Sequence, residues 1–243
     1  MTETSLFVAT PCYGGMVNVY FMESIVSLIM ECSKHRIKCK FFHVPFESLI
    51  PRARNICASA FLKLKATHLM FIDADIEFKA SDVIRMIRTD VDLIGGSYPT
   101  KHLDIKGVAS SDKGLTDQEL VSRNVQYTSK LIKGKDVTKM TCEHLATGFM
   151  LIHRRVLQKL VADNGDIQYI NDIPAYAEYT QAGGVVYDFF QSKVVNGKYM
   201  SEDYGFCELW KQSGGQLYTD LTCKLNHIGN FTYYGNHVSK LTR

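Results

Sequence analysis

The sequence predicts an α/β fold: a single domain with a mostly parallel central sheet flanked by helices, and a smaller mixed part towards its C-terminal side. Three observations predict it. Over the first hundred residues, short apolar runs of strand length alternate with stretches whose apolar residues recur at helical spacing, as a parallel sheet requires. The 243 residues suit one large domain with a real core. Hydrophobic residues make up 46% and charged residues 22%, an ordinary globular balance that excludes a disordered chain.

Taken in order, Ser5 to Ala9 reads as a core strand rather than a signal peptide, ended by the turn Pro11-Cys12-Tyr13-Gly14-Gly15. A helix follows with Phe21, Ile25, Leu28 and Cys32 on one face. Lys40 to Val44 is a second strand. Pro51 stands where helices begin, and Ala53, Ile56, Cys57, Ala60 and Leu64 form a buried stripe behind it. Leu69 to Ile72 is a short, wholly apolar strand that ends on Asp73. A helix starting at or near Ser81 and a strand from Val91 to Ser97 complete this half. Lys101 to Lys139 is polar, with Gly107, Gly114 and Gly134, and reads as a mobile loop or an edge hairpin. Ala146 to Ile152 returns to a buried strand, with a helix from Arg154 to Ala162. The aromatic-rich stretch from Asp163 to Tyr199 resists assignment. A last helix starts at Ser201, as N-cap, and stops at Gly214-Gly215.

The net charge of +3 is spread along the chain, with no dense Lys/Arg block, so a nucleic-acid partner is not expected. A mildly basic surface suits an anionic small molecule. The seven cysteines are scattered, odd in number and without a CxxC pair, which argues against a zinc knuckle and a secreted disulfide framework. Reduced thiols in a cytoplasmic compartment are expected. The apolar stretch from Tyr20 to Met30 is broken by Glu23, Ser24 and Ser27 and spans no membrane.

The chemistry centres on Phe71-Ile72-Asp73-Ala74-Asp75. In open α/β sheets ligands bind beyond the carboxyl ends of the strands. Two acids leaving a buried strand there are costly unless a cation meets them. In extended chain, residues i and i+2 face one side, so both carboxylates would converge on one point. A divalent ion held there neutralises a pyrophosphate and stabilises it as a leaving group. The competing reading is a polar turn after a strand. Arg52 and Arg54 at a helix start oppose the helix dipole, which an anion nearby would explain; Arg52 and Asn55 are favoured for it and Arg54 is left open. Glu202 and Asp203 serve equally well as first-turn acids of a helix. Gly95-Gly96 allows close approach of a ligand or tight packing. Thr147-Gly148 leaves space beside a ligand, and Tyr98, Lys101 and His102 are within its reach. Most of Tyr176, Tyr179, Tyr187, Phe189, Phe190 and Trp210 read as core.

These segments resemble, in order and over most of the chain, the GT-A glycosyltransferases. Thr10-Pro11-Cys12-Tyr13 is similar to that family's nucleobase-contacting segment, and Pro51-Arg52-Ala53-Arg54-Asn55 to its "ARN" helix start. Asp73-Ala74-Asp75 matches the D-x-D position. Ser201-Glu202-Asp203-Tyr204 resembles the "ED" helix start, whose acid is the base in inverting members, and His227-Ile228-Gly229 the late H-x-G that completes the metal site. Gly95-Gly96-Ser97-Tyr98-Pro99 and Thr147-Gly148-Phe149-Met150-Leu151-Ile152 are similar to phrases of small viral and bacterial members.

The resemblance implies a Rossmann-like donor half over residues 1–100 and an acceptor-side half over 101–243. It implies a nucleoside-diphosphate sugar, UDP-linked, contacted by Thr10, Pro11, Tyr13, Arg52, Asn55, Asp73 and Ala74. Asp73, Asp75 and His227 would bind the ion, with Asp73 alternatively on the ribose. An imidazole beside carboxylates suits Mn²⁺ better than Mg²⁺, which prefers oxygen ligands. Asp203, with Glu202 as its rival, would take the proton of an acceptor hydroxyl on a glycan, lipid or protein; in a retaining enzyme it would position the sugar or acceptor instead. The implied compartment is the cytoplasm, that of the host if the source is viral. Three other readings stay open. A phosphatase carries its D-x-D on the first strand, and a sugar nucleotidyltransferase needs a fuller loop than Tyr13-Gly14-Gly15-Met16. A non-catalytic nucleotide- or glycan-binding module is the third.

Overall fold

The protein is described by a computed structural model over residues 3–110, 114–133 and 136–241. The N-terminal half runs β1 (Ser5–Cys12), α1 (Val19–Lys34), β2 (Lys38–Pro45), α2 (Ile50–Lys63), β3 (His68–Ile72), β4 (Ile76–Glu77), α3 (Ala80–Arg88) and β5 (Leu93–Gly96). It continues through β6 (Pro99–Leu103), α4 (Ile105–Ser110), α5 (Asp117–Asn124), β7 (Val125–Tyr127), β8 (Leu131–Lys133) and β9 (Met140–Cys142). Then come β10 (Phe149–His153), α6 (Arg154–Asp163), β11 (Gln168–Ile170), β12 (Val185–Tyr187), β13 (Lys193–Val195) and β14 (Lys198–Met200). The chain ends with α7 (Glu202–Gln212), β15 (Tyr218–Asp220), β16 (Asn226–Ile228), β17 (Thr232–Tyr233) and α8 (His237–Leu241).

The central sheet has the order β2-β1-β3-β10-β5-β15-β9-β8. Strands β2, β1, β3, β5, β15 and β8 run one way, and β10 and β9 the other. The expected mostly parallel sheet with flanking helices is therefore observed. Its interior strands are apolar on both faces because both faces are covered. In β1, Phe7 and Ala9 pack with α2, α6 and α7, while Leu6 and Val8 pack with α1 and α3. The alternation is the period of two of a pleated strand.

Helix α2 is buried from Ala53 to Phe61, on more than the single stripe its sequence suggests. The chain at and just beyond its C-terminus is gripped by Arg154, which donates to the carbonyls of Phe61 (2.8 Å), Ala66 (2.6 Å) and Leu64 and lies 4.5 Å from the Phe61 ring. A guanidinium fork at a helix C-terminus answers both the orphan carbonyls and the dipole.

Several expectations change. Residues 101–139 are not one loop: β6 pairs with β7, α4 and α5 lie between them, and β8 pairs antiparallel with β9 at the edge of the main sheet, as the edge-hairpin alternative expects; Gly134 lies outside the described residues. The strand expected from Ala146 starts at Phe149, because Thr147 and Gly148 form a turn. The unassigned stretch from 163 to 199 folds as two antiparallel strand pairs, β11–β12 with two short 3-10 turns between its strands, and β13–β14. Ser201 does occupy the N-cap position of α7, but its hydroxyl donates to the Asp203 carboxylate and makes no capping bond.

Candidate active site

The acidic segment leaves β3 at the carboxyl edge of the sheet, as expected, but it does not leave extended. The Ile76 N–H donates to the Asp73 carbonyl (3.1 Å), closing a turn. The three carbonyls of the segment, and the Asp73 N–H, are all engaged. Asp73 N–H donates to the Gly148 carbonyl (3.0 Å), Asn18 N–H to the Ala74 carbonyl (2.9 Å) and Ile228 N–H to the Asp75 carbonyl (2.8 Å). The same-side rule of an extended strand fails in a turn, and the two carboxylates part company.

Asp73 turns to Arg54, whose Nη2 donates to its Oδ1 at 3.1 Å. The same guanidinium reaches Glu202 at the start of α7 through Nε (3.5 Å) and lies 5.5 Å from the centre of the Phe71 ring. Arg54 is 4% exposed, and its Nη1 has no hydrogen-bond partner among the described residues. A buried charge is tolerated only where carboxylates meet it, and here two do. Asp75 turns the other way, to Lys101 Nζ (2.6 Å) and His227 Nε2 (3.4 Å). His227 Nδ1 lies 2.9 Å from the Pro99 carbonyl. A carbonyl cannot donate, so Nδ1 carries the proton and Nε2 is left facing Asp75. Burial opposes ionisation of Asp75, but the His227 ring and the Lys101 ammonium beside it outweigh it and hold the carboxyl below its usual range.

Tyr98 stands between the two sides. It is buried, its ring lies edge-on to His227 at 5.5 Å, and burial followed by the Asp73 charge raises the phenol well above its usual pKa. Gly148 is required here: a Cβ would meet the Tyr98 hydroxyl and stand 2.7 Å from Asp73 Oδ2. Gly95 and Gly96 resolve the other way. Their added Cβ atoms would strike Leu145, Phe149 and Leu225, so tight internal packing explains both. At α7, Asp203 Oδ1 accepts from the Ser201 hydroxyl and from Tyr204 N–H (2.8 Å).

The remaining sequence candidates divide. Thr10 and Pro11 are buried, with Thr10 Oγ1 unpartnered among the described residues, while Tyr13 is 71% exposed at the end of β1. Arg52 is spent on Glu47, to which it donates twice (2.7 and 2.8 Å). Asn55 uses both ends of its amide, donating to Asp188 (2.6 Å) and accepting from Phe190 N–H (3.0 Å). Of the "ARN" segment it is Arg54 that reaches the acidic turn. One neighbour escaped the sequence reading altogether: Phe46, 77% exposed with φ of 60°, packs its ring on Gly15 at the same edge of the sheet. A bulky residue in the left-handed region is a strained outlier, and strain of this kind gathers at functional sites. No pattern in the sequence announces it. Of the aromatics, Tyr176, Phe189, Phe190 and Trp210 belong to the core on the α2 side of the sheet, and Tyr179 and Tyr187 pack against it partly buried.

The metal triad expected from Asp73, Asp75 and His227 is not assembled. Among the described residues no three His, Cys, Asp or Glu side chains gather closely enough for one ion. Asp73 is diverted to Arg54, leaving Asp75 and His227 as a two-ligand pair with Lys101 as the cation already on it. That pair fits an ion whose other ligands come from phosphate and water. Among the described residues no helix is long and apolar enough to cross a membrane.

No protein-family model and no curated protein matches the chain. Several solved structures match the chain at low identity and low score. GalNAc-T7, crystallised with UDP, GalNAc and Mn²⁺, is 12% identical with a TM-score of 0.44, over 97% of this chain and 47% of its own. The inositol-1-phosphate CTP transferase from T. maritima is 7% identical with a TM-score of 0.44, over 94% and 90%. A glycosyltransferase involved in glycosylating the major capsid of PBCV-1 is 10% identical with a TM-score of 0.32, over 66% and 67%. The chain thus spans about half the length of GalNAc-T7. At such identities and scores none of these likenesses decides what this chain does.

Proposed function

We propose that the chain is a GT-A type glycosyltransferase, one domain that moves a sugar from a nucleoside-diphosphate donor, UDP-linked, to a hydroxyl of a glycan, lipid or protein acceptor. The observation that carries this reading is the convergence on Arg54. Acids from two distant motif segments, Asp73 after β3 and Glu202 at α7, meet on one buried guanidinium beside the Asp75–His227 pair. A core arginine serving stability alone has no need to join those two segments.

In this reading the nucleobase lies at the rim formed by Tyr13 and Phe46, the accessible aromatics at the carboxyl ends of β1 and β2. Asp75 and His227 would hold Mn²⁺, which would neutralise the leaving diphosphate. The unpartnered Nη1 of Arg54 offers one more donor to an anion. Glu202 is engaged by Arg54, whereas Asp203 keeps Oδ2 free of hydrogen bonds among the described residues. Asp203 is therefore the base that accepts the acceptor proton, with Ser201 and Tyr204 N–H fixing its other oxygen.

The test is a thermal-shift screen of UDP, GDP and CMP with and without Mn²⁺, followed by turnover of UDP-sugars. UDP should stabilise the protein only with Mn²⁺, and Asp75→Ala should abolish that effect. Asp203→Asn should abolish transfer while leaving Mn²⁺-dependent UDP binding intact; near-normal turnover would remove Asp203 from its role. Release of pyrophosphate from a nucleoside triphosphate and a sugar phosphate would point to a nucleotidyltransferase instead.

A further inference from the structure

Tyr98 lies just ahead of β6 and is 6% exposed. Its backbone is pinned by Thr128, whose N–H donates to the Tyr98 carbonyl (3.0 Å) and whose Oγ1 accepts from Tyr98 N–H (3.4 Å). The ring meets the His227 imidazole edge-on, at 5.5 Å between centres and 88° between planes. The very next residue, Pro99, supplies the carbonyl that takes the Nδ1–H of that imidazole. One short segment therefore grips His227 on its face and at one nitrogen. At its far end the Tyr98 hydroxyl crowds the same point beside Gly148 as Asp73 Oδ2, so that a Cβ on Gly148 would meet both. Asp73 Oδ1 is taken by Arg54, and Oδ2 is the oxygen that shares this crowded point with the phenol.

We infer that Tyr98 is a positioning residue that couples the two sides of the acidic turn, its hydroxyl orienting Asp73 and its ring orienting His227. The functional consequence rests on the proposed glycosyltransferase reading; the geometric coupling does not. Tyr98→Phe removes the hydroxyl from an almost unchanged shape, and Tyr98→Leu removes the ring as well.

A double-mutant cycle of Tyr98→Phe with Asp73→Asn, read on the unfolding equilibrium, should show the two changes coupled by about fivefold or more; additive effects overturn the hydroxyl contact. In metal-free full-length protein, the imidazole ¹⁵N signals of His227 should keep the Nδ1–H pattern in Tyr98→Phe and lose it in Tyr98→Leu. An unchanged pattern in Tyr98→Leu overturns the role of the ring. With Mn²⁺ and UDP as probes, Tyr98→Leu should bind the ion about tenfold more weakly, the scale of a lost outer-shell partner, and Tyr98→Phe within about twofold of wild type. In turnover, Tyr98→Phe should lower kcat about tenfold with little change in KM. If the wild type binds neither probe, the functional reading fails, while the cycle and the His227 signals still decide the coupling.

Discussion

Asp73 and Asp75 stand two residues apart in one turn, yet their partners differ in almost every physical respect. Asp73 faces a guanidinium that is buried, always charged and shared with Glu202 from α7. Asp75 faces a lysine whose side chain is 39% exposed and an imidazole held from behind by Pro99. A buried fork between two acids cannot leave without stranding charge in the interior. An exposed ammonium on a four-carbon stem leaves readily, because such pairs are worth little. The Asp73 side is thus fixed by burial, and the Asp75 side is the one whose partner is free to exchange.

The sharpest way to break this comparison is Arg54→Met. It leaves Asp73 and Glu202 facing each other unpaired and should cost about 3 kcal/mol in urea denaturation. A loss under about 1 kcal/mol would make the Arg54 side as dispensable as the other.

Mild acid offers a second probe, because it strikes β3 away from the turn. Burial, then the neighbouring His153 and Arg155, push His68 down to about 4. The unfolded chain takes up that proton below about pH 6.5, whereas the folded chain resists it. The stability contributed by His68 is therefore complete above pH 6.5 and lost as pH falls towards 4, with about 2 kcal/mol gone by pH 5. His237, also pushed down to about 4 by burial and Lys240, adds a similar loss. His68→Gln should remove a large part of the acid sensitivity, with the remainder shared by His237 and by His144 and His153, which burial also pushes down.

The third comparison is direct. Asp75→Asn should abolish Mn²⁺-dependent UDP binding, and Asp73→Asn should retain at least about a tenth of the affinity. The reverse order would place the ion on the Arg54 side. The smallest effect belongs to Lys101→Met. Its stability should change by less than about 0.5 kcal/mol, while Mn²⁺ affinity should rise severalfold in a metal titration, since the ion no longer displaces an ammonium. A fall in affinity would show that Lys101 holds the ligand instead of standing in for the ion.

The legible parts of the chain were those where one pattern covers several residues. The apolar run of β3 and the helical stripe of α1 needed no tertiary information. Strand β10 was legible as a strand but not in its direction, because an apolar run reads alike both ways. Strands β15 and β9, three residues each, escaped notice because their pairing partners lie far off in sequence. The "ARN" segment shows the same limit at the scale of a side chain. Arg52, Arg54 and Asn55 are all polar at a helix start, and only the packing of α2 against β3 and α7 decides that Arg54 faces the acids.

The sequence by itself determined the alternation that builds the sheet, the position of two acids at the carboxyl end of a buried strand, and the order of the segments that return to them. These are local or additive properties: hydrophobic periodicity and residue type survive without knowledge of contacts. Only the tertiary structure decided that Asp73 and Asp75 diverge. The turn is set by hydrogen bonds to Asn18, Gly148 and Ile228, three residues remote from it in sequence, and such a cage cannot be inferred from the five residues it encloses.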